Sequence, residues 1–447
     1  METFSALLGA GRRAHLIGAG GVSMSALAEV LSGRGLLVTG SDRQDSDAVR
    51  RLISLGIPVE IGESGRYLPG SDVVIRTAAA REDNPEVIRA QELGIPLLER
   101  ADAWGELMRG YAKSICVAGT HGKTTTTGML THIAEDADPT VMLGGRLPLL
   151  GGIGHRVGAG DMILAEACEY HNSYHRFRPT TAVLLNIDED HLDFFSGLEE
   201  LIMSFRTFAK LVPPGGFVIA NGTDENVRKA LIGIDALWLG SDVRAEDLRD
   251  DRGRYSFTVT VYGKAVAEAR LRVPGMFNVK NALAAAAAAL ANGLTGDDVT
   301  RGLNSFTGTG RRMEYRGRVN GADVYDDYAH HPSAIAATLT AARAMGYKRV
   351  LCVFQPHTYT RTKALFREFC EALRGFDRAY LADIYAAREN DPGDIHSKML
   401  AQQIPGSVYT GTHGKTVDAV LNDLQPGDML MTMGAGDVDG VAARLIL

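Results

Sequence analysis

Short apolar runs alternate with amphipathic ones along most of this chain. In the first hundred residues AHLIG (14–18), LLVTG (36–40), DVVIRT (72–77) and IPLL (95–98) have the length of strands. Between them SMSALAEVLSGRG, SDAVRRLISLG and NPEVIRAQELG carry a helical period, and each closes on a glycine suited to a helix end. Strand–helix alternation predicts a parallel sheet covered by helices, hence an α/β fold. After the helix ADAWGELMRG a second unit opens on SICVA (114–118) and continues through DMILAE (161–166), TTAVLLNI (180–187) and GFVIA (216–220). RYSFTVTV and AVAEARLRV, separated by Tyr-Gly-Lys, predict a hairpin, and an Ala-rich helix comes next at 278–293. From near Gly310 the alternation resumes through ADVYDDY, RVLCVFQ, RAYLADI, GSVYT and DMLMTMGAG. The expected division is three α/β domains at 1–108, 109–309 and 310–447.

Composition narrows the class. The 447 residues suit about three domains, and 45% apolar with 23% charged residues is ordinary for a globular enzyme. A net charge of −7 argues against a protein that coats nucleic acid, which needs clustered positive charge. No apolar run reaches the ~18–20 residues that span a bilayer, and the first residues lack the layout of a signal peptide. Cys116, Cys168, Cys352 and Cys370 are widely spaced, which fits a reducing cytoplasm better than a disulfide scaffold or structural zinc. The expectation is a cytoplasmic enzyme.

Three stretches carry chemistry. In HLIGAGGVSMSALAEVL (15–31) a strand runs through Gly18, Gly20 and Gly21 to Ser23 and a helix, so free N–H groups and the helix dipole favour a diphosphate. Asp42, ending the next strand, stands where an acid could hold a ribose hydroxyl. NAD binding is the literal alternative, but Ser23 replaces the third glycine and no hydride-transfer site lies downstream. SICVAGTHGKTTTTGML (114–130) is a shortened phosphate loop. The backbone of Gly119, Thr120, His121, Gly122 and Thr125 would cradle phosphates, Lys123 would neutralise them and the Thr124 hydroxyl would ligand Mg²⁺, so ATP is the expected fuel. GTHGKT recurs at 411–416, without the following Thr run, and is expected to be an ordinary helix start. Glu166, Asn186, Asp188, Asp190 and His191 end strands of the same domain and should lie near the loop. Glu166 suits Mg²⁺ across from Thr124, and His191 suits a second metal position or a structural role. Asp188, Glu189 and Asp190 also read as a solvated turn. In the third domain VYDDYAHHPSAI and FQPHTYTRTK gather Asp326, Asp327, Tyr328, His330, His331, His357 and Arg361 at strand ends, a set suited to a carboxylate-bearing reactant.

These residues resemble the Mur ligases of peptidoglycan synthesis, and the likeness runs from HLIGAGG to GAGD. GTHGKTTT marks the wider ligase superfamily, whereas DDYAHHP, FQPHTYTRT and YAARE together resemble its alanine-adding branch. The resemblance implies a Rossmann-like first domain that binds UDP-N-acetylmuramate, a central Mg-ATP domain of phosphate-loop type, and a Rossmann-like third domain that brings L-alanine. It implies phosphate and metal roles for Lys123, Thr124, Glu166 and His191, an adenine neighbour in Asn281, and a carboxylate or amino-acid role for His330 and Arg361. Relatives usually have a glycine before Met-Ser in the first loop, so Ser23 is expected to alter the diphosphate contacts. Arg206 stands near the place of a modified lysine in sister ligases, so no carbamate is expected. Two competing expectations are a muropeptide ligase that takes a ready-made tripeptide and an NAD-dependent oxidoreductase.

Overall fold

The computed structural model describes residues 4–191, 194–387 and 389–446. They fall into two compact units: one comprises the chain up to Asp190 with Gly197–Val243 and Ala284–Gly302, and the other His191–Ser196, Arg244–Leu283 and everything from Leu303.

The first unit holds two sheets. Strands β1 (Arg13–Ile17), β2 (Leu37–Asp42), β3 (Val59–Ile61), β4 (Val73–Arg76) and β5 (Leu97–Glu99) pair in the order β3-β2-β1-β4-β5, all parallel. Leu16, Val74 and Ile75 are fully buried, as expected for strands covered on both faces. The helices Asp47–Ser54 and Pro85–Glu92 start on side-chain caps. Ser46 Oγ accepts the Val49 N–H, and Asn84 Oδ1 accepts those of Glu86 and Val87, with Pro85 in the first turn. The segment DNPE is thus a helix cap.

The second sheet of this unit uses β6 (Lys113–Ala118), β7 (Thr140–Leu147), β8 (Ile153–Arg156), β9 (Met162–Glu166), β10 (Thr181–Leu184), β11 (Phe217–Asn221) and β12 (Leu237–Leu239), in the order β12-β11-β10-β6-β9-β7-β8. Only the β7–β8 pair is antiparallel. β6 lies between β9 and β10, so the chain leaving it emerges where strand order reverses, the usual place for a ligand crevice. Register sets the strand ends level with one another: Val117 pairs with Glu166, and Ala118 with Leu184. The two sheets are joined through the helix Val22–Gly33, which packs on β7 and β8.

In the other unit β13 (Val243–Asp251), β14 (Arg254–Val261) and β15 (Lys264–Arg270) lie side by side, and β14–β15 is the expected hairpin. Its sheet of β16 (Glu314–Val319), β17 (Ala322–Asp327), β18 (Val350–Phe354), β19 (Arg378–Ala382), β20 (Val408–Gly411) and β21 (Met429–Met433) has the order β16-β17-β21-β18-β19-β20, antiparallel only at β16. Ile335, Phe354, Phe369 and Met431 fill one face, and Leu351, Val353, Leu430 and Val441 the other. No helix among the described residues is long and apolar enough to cross a membrane.

Candidate active site

Gly119 has φ 148°, and a Cβ there would stand 2.9 Å from the Leu185 Cβ, so the loop after β6 can hug the end of β10 only with glycine at that point. The strand ends then lock it. Thr120 N–H donates to Asn186 O, His121 N–H to Asn186 Oδ1, and Asn186 Nδ2 returns a bond to His121 O. Asp188 N–H donates to Thr120 Oγ1, and its carboxylate lies 3.5 Å from His121 Nε2. Asp188 therefore braces the loop as well as meeting solvent. The helix Lys123–Ile133 opens here, and Thr124 Oγ1 donates to Glu166 Oε2 at 2.9 Å. Gly144 N–H, on β7, donates to the same oxygen at 2.8 Å. A hydroxyl and a carboxylate side by side form an all-oxygen donor set, which suits a hard divalent cation.

Glu169 was not picked out in the sequence, although EACEYH displays it three residues after Glu166. Its carboxylate is buried and pairs with Lys123 Nζ at 2.9 and 3.1 Å, while Nζ also donates to Gly119 O at 2.5 Å. Burial alone would lower the Lys123 pKa, but the charge of Glu169 overrides it and holds the ammonium above its ordinary range. The turn carrying Glu169 is strained, with His171 and Asn172 both left-handed at φ 55° and 53°. Each such residue costs about 1–2 kcal/mol. Tyr174 offsets this: it is fully buried, stacked 4.6 Å from Phe208, and hydrogen-bonded through its hydroxyl to Ser204 at 2.8 Å. Ser204 also binds Asn172, and His175 bonds the Ser204 carbonyl oxygen.

In the first sheet Gly18 N–H and Ala19 N–H both donate to Ser41 O, which sets the loop over the end of β2. Asp42 Oδ2 accepts Gly20 N–H at 2.8 Å, and a Cβ on Gly20 would stand 2.9 Å from that oxygen. Asp42 thus engages one of the loop's own donors. Ser23 Oγ accepts from Arg100 Nη1 at 2.7 Å and Trp104 Nε1 at 3.2 Å, and donates to Met142 Sδ at 3.4 Å. Neither Arg100 nor Trp104 announces itself in the sequence, because the contacts cross about eighty residues.

In the other unit Tyr328, His330, His357 and Arg361 come together. His330 Nδ1 bonds Tyr328 O at 2.8 Å, the His330 and His357 rings lie 6.0 Å apart, and Arg361 Nη1 donates to His357 Nδ1 at 3.3 Å. Tyr385 stacks on His357 at 5.7 Å. Arg311, also missed in the sequence, pairs with Asp326 at 3.0 Å and donates to the carbonyls of Gly434 and Gly436. His191 and Asn281 belong to this unit, whereas the phosphate loop belongs to the first. Asn281 Nδ2 donates to Asn278 Oδ1 at 3.1 Å, and Phe277 packs on the C-terminal core. Arg388 of the YAARE motif lies outside the described residues. The second GTHGKT turns its Thr416 hydroxyl onto Thr410 and Thr412, and leaves Lys415 exposed.

Residues 13–112 match the Mur ligase family, catalytic domain; 117–289 match the Mur ligase middle domain; and 311–436 match the Mur ligase, glutamate ligase domain. A UDP-N-acetylmuramate–L-alanine ligase of Acetivibrio thermocellus is 42% identical over 96% of this chain and 94% of its own. One from Clostridium perfringens is 42% identical over 98% of both chains. The crystal structure of a UDP-N-acetylmuramate-alanine ligase from Thermotoga maritima superposes with a TM-score of 0.81 at 26% identity, covering 97% of this chain and 98% of that one. With strand-end sites of this chemistry and relatives of this closeness along nearly its full length, the chain belongs to the Mur ligase family.

Proposed function

We propose that this protein joins L-alanine to UDP-N-acetylmuramate at the expense of ATP. The observation that carries the reading is a phosphate loop bearing Lys123, held by Glu169, next to Thr124, whose hydroxyl bonds Glu166 at the end of β9, in a chain whose nearly full-length relatives are named UDP-N-acetylmuramate–L-alanine ligases. A carboxylate is a poor acyl donor. Transferring the γ-phosphoryl of ATP to the lactyl carboxylate expels ADP and gives an acyl phosphate. The alanine amine then attacks the acyl carbon, loses a proton, and phosphate departs. Two anions must meet in the first step, so charge cancellation dominates catalysis. Lys123 supplies one positive charge. Thr124 and Glu166 are the residues to hold Mg²⁺, which when bound would neutralise phosphate oxygens.

Residues 1–108 hold the UDP-sugar on the Gly18–Ser23 loop with Asp42, residues 109–309 bind ATP through Gly119–Thr125, and residues 310–447 present alanine near Tyr328, His330 and Arg361. His191 is assigned to metal or phosphate. The reaction takes place in the cytoplasm. Phosphate release is the test: it should require ATP, Mg²⁺, UDP-N-acetylmuramate and L-alanine together. Release indifferent to the sugar nucleotide and alanine would falsify the reading, and a preference for a tripeptide over alanine would replace it with muropeptide ligation.

A further inference from the structure

Among the described residues Arg100 uses one of its five N–H donors, on the Ser23 hydroxyl, and no carboxylate lies within ion-pair reach. It is only partly exposed, and burial pulls its guanidinium below the ordinary range. A poorly solvated cation without a counter-ion is costly, so its retention calls for an anion that the chain does not itself provide. Position points the same way. Arg100 opens the helix Arg100–Met108 and touches the first glycine loop through Ser23, and the neighbouring Glu99 carboxylate favours its charge without bonding it. The glycine loop needs such help, because Asp42 has taken the Gly20 N–H and placed a carboxylate beside it.

Trp104 explains why a serine stands at position 23. Its indole is fully buried, and a buried indole N–H requires an acceptor. Ser23 Oγ accepts hydrogen bonds from both the indole and the guanidinium and donates its own to Met142 Sδ, so the hydroxyl is saturated and Arg100 is fixed in direction. A glycine here would leave the indole unpaired and the arginine unguided.

We propose that Arg100 is an oxyanion ligand for the sugar nucleotide, aimed by Ser23 and Trp104. This rests on the ligase reading above. The shared chemistry is a phosphate or carboxylate oxygen taking the guanidinium's remaining donors, and the two sources are separable. Trp104 and Trp238 are the only tryptophans, so Trp238→Phe leaves Trp104 as a reporter beside the site. Its emission would be titrated with UDP, UDP-N-acetylglucosamine and UDP-N-acetylmuramate, in that background and with Arg100→Gln or Arg100→Lys added. Arg100→Gln should raise the Kd for UDP-N-acetylmuramate tenfold or more, with Arg100→Lys between, while ATP affinity stays within twofold. An equal loss for all three ligands assigns the diphosphate; a loss confined to UDP-N-acetylmuramate assigns the lactyl carboxylate, which the other two lack. Ser23→Gly should shift the Trp104 emission and weaken binding severalfold. An unchanged Kd for UDP-N-acetylmuramate in a folded Arg100→Gln protein overturns the assignment. Wild-type protein that binds ATP but none of the three ligands sinks the ligase reading, and this assignment with it.

Discussion

Lys123 is held by a carboxylate of the chain itself, Glu169. Its buried bond to Glu169 keeps an ammonium charged inside the protein, yet the same carboxylate competes with any phosphate for that charge. Glu169→Gln should therefore tighten ATP binding about tenfold, or ~1.4 kcal/mol, and should lower the thermal midpoint of the nucleotide-free protein, since a buried charge loses its partner. Calorimetric titration and a melting curve check both; weaker ATP binding with an unchanged midpoint would show that Glu169 does not compete. Lys123→Ala should abolish ATP turnover, whereas Lys415→Ala should leave most of it. The two lysines share a hexapeptide, but Lys415 is exposed and its neighbour Thr416 is spent on local hydrogen bonds. The reverse result in a turnover assay would exchange the two loops' roles.

The helix Val22–Gly33 follows the first glycine loop and also contacts β7 and β8, so it links that loop to the strands beside Glu166. Glu29 on this helix pins the contact, with His155 Nε2 at 2.9 Å and Arg51 Nε at 2.7 Å. Burial by itself would raise the Glu29 pKa, but His155 and Arg51 override it and hold the carboxyl at about 2. A depressed carboxylate stabilises the fold above its unfolded pKa, near 4.5, and that stability is lost as pH falls through about 2. Glu29→Gln should remove on the order of 2–3 kcal/mol at neutral pH and flatten the acid limb, as read by denaturant unfolding from pH 5 to pH 2. An acid limb as steep as that of the parent protein would assign the acid sensitivity elsewhere.

Taken as a whole chain, Glu29 of the first unit and Asp326 of the other contribute opposite pH dependences. In the C-terminal unit Asp326 is fully buried; burial pushes its carboxyl up to about 6 against the pull of Thr432 and Arg311. A raised acid favours the fold below its unfolded pKa, near 3.8, and that contribution is lost as pH rises through about 6. Asp326→Asn should abolish a decline in stability between pH 4 and 6 seen in unfolding followed by a C-terminal probe; a decline that persists would place its origin in another group. Periodicity made most strands of both units legible, since β10, β18 and β21 are almost wholly apolar runs buried on both faces. It missed β3, β7, β8, β12, β13 and β16, which are short, glycine-containing or charged. β13 reads VRAEDLRDD and is exposed over most of its length. The chain by itself determined the α/β alternation, the phosphate loop and the Thr124–Glu166 pair, because these follow from local pattern and from parallel register at strand ends. Only the tertiary structure decided that Glu169 holds Lys123, that Asp42 closes on Gly20, that Ser23 aims Arg100 and that Phe277 packs on the C-terminal core. Each is a contact between segments whose spacing in sequence has no period, so packing alone brings them together.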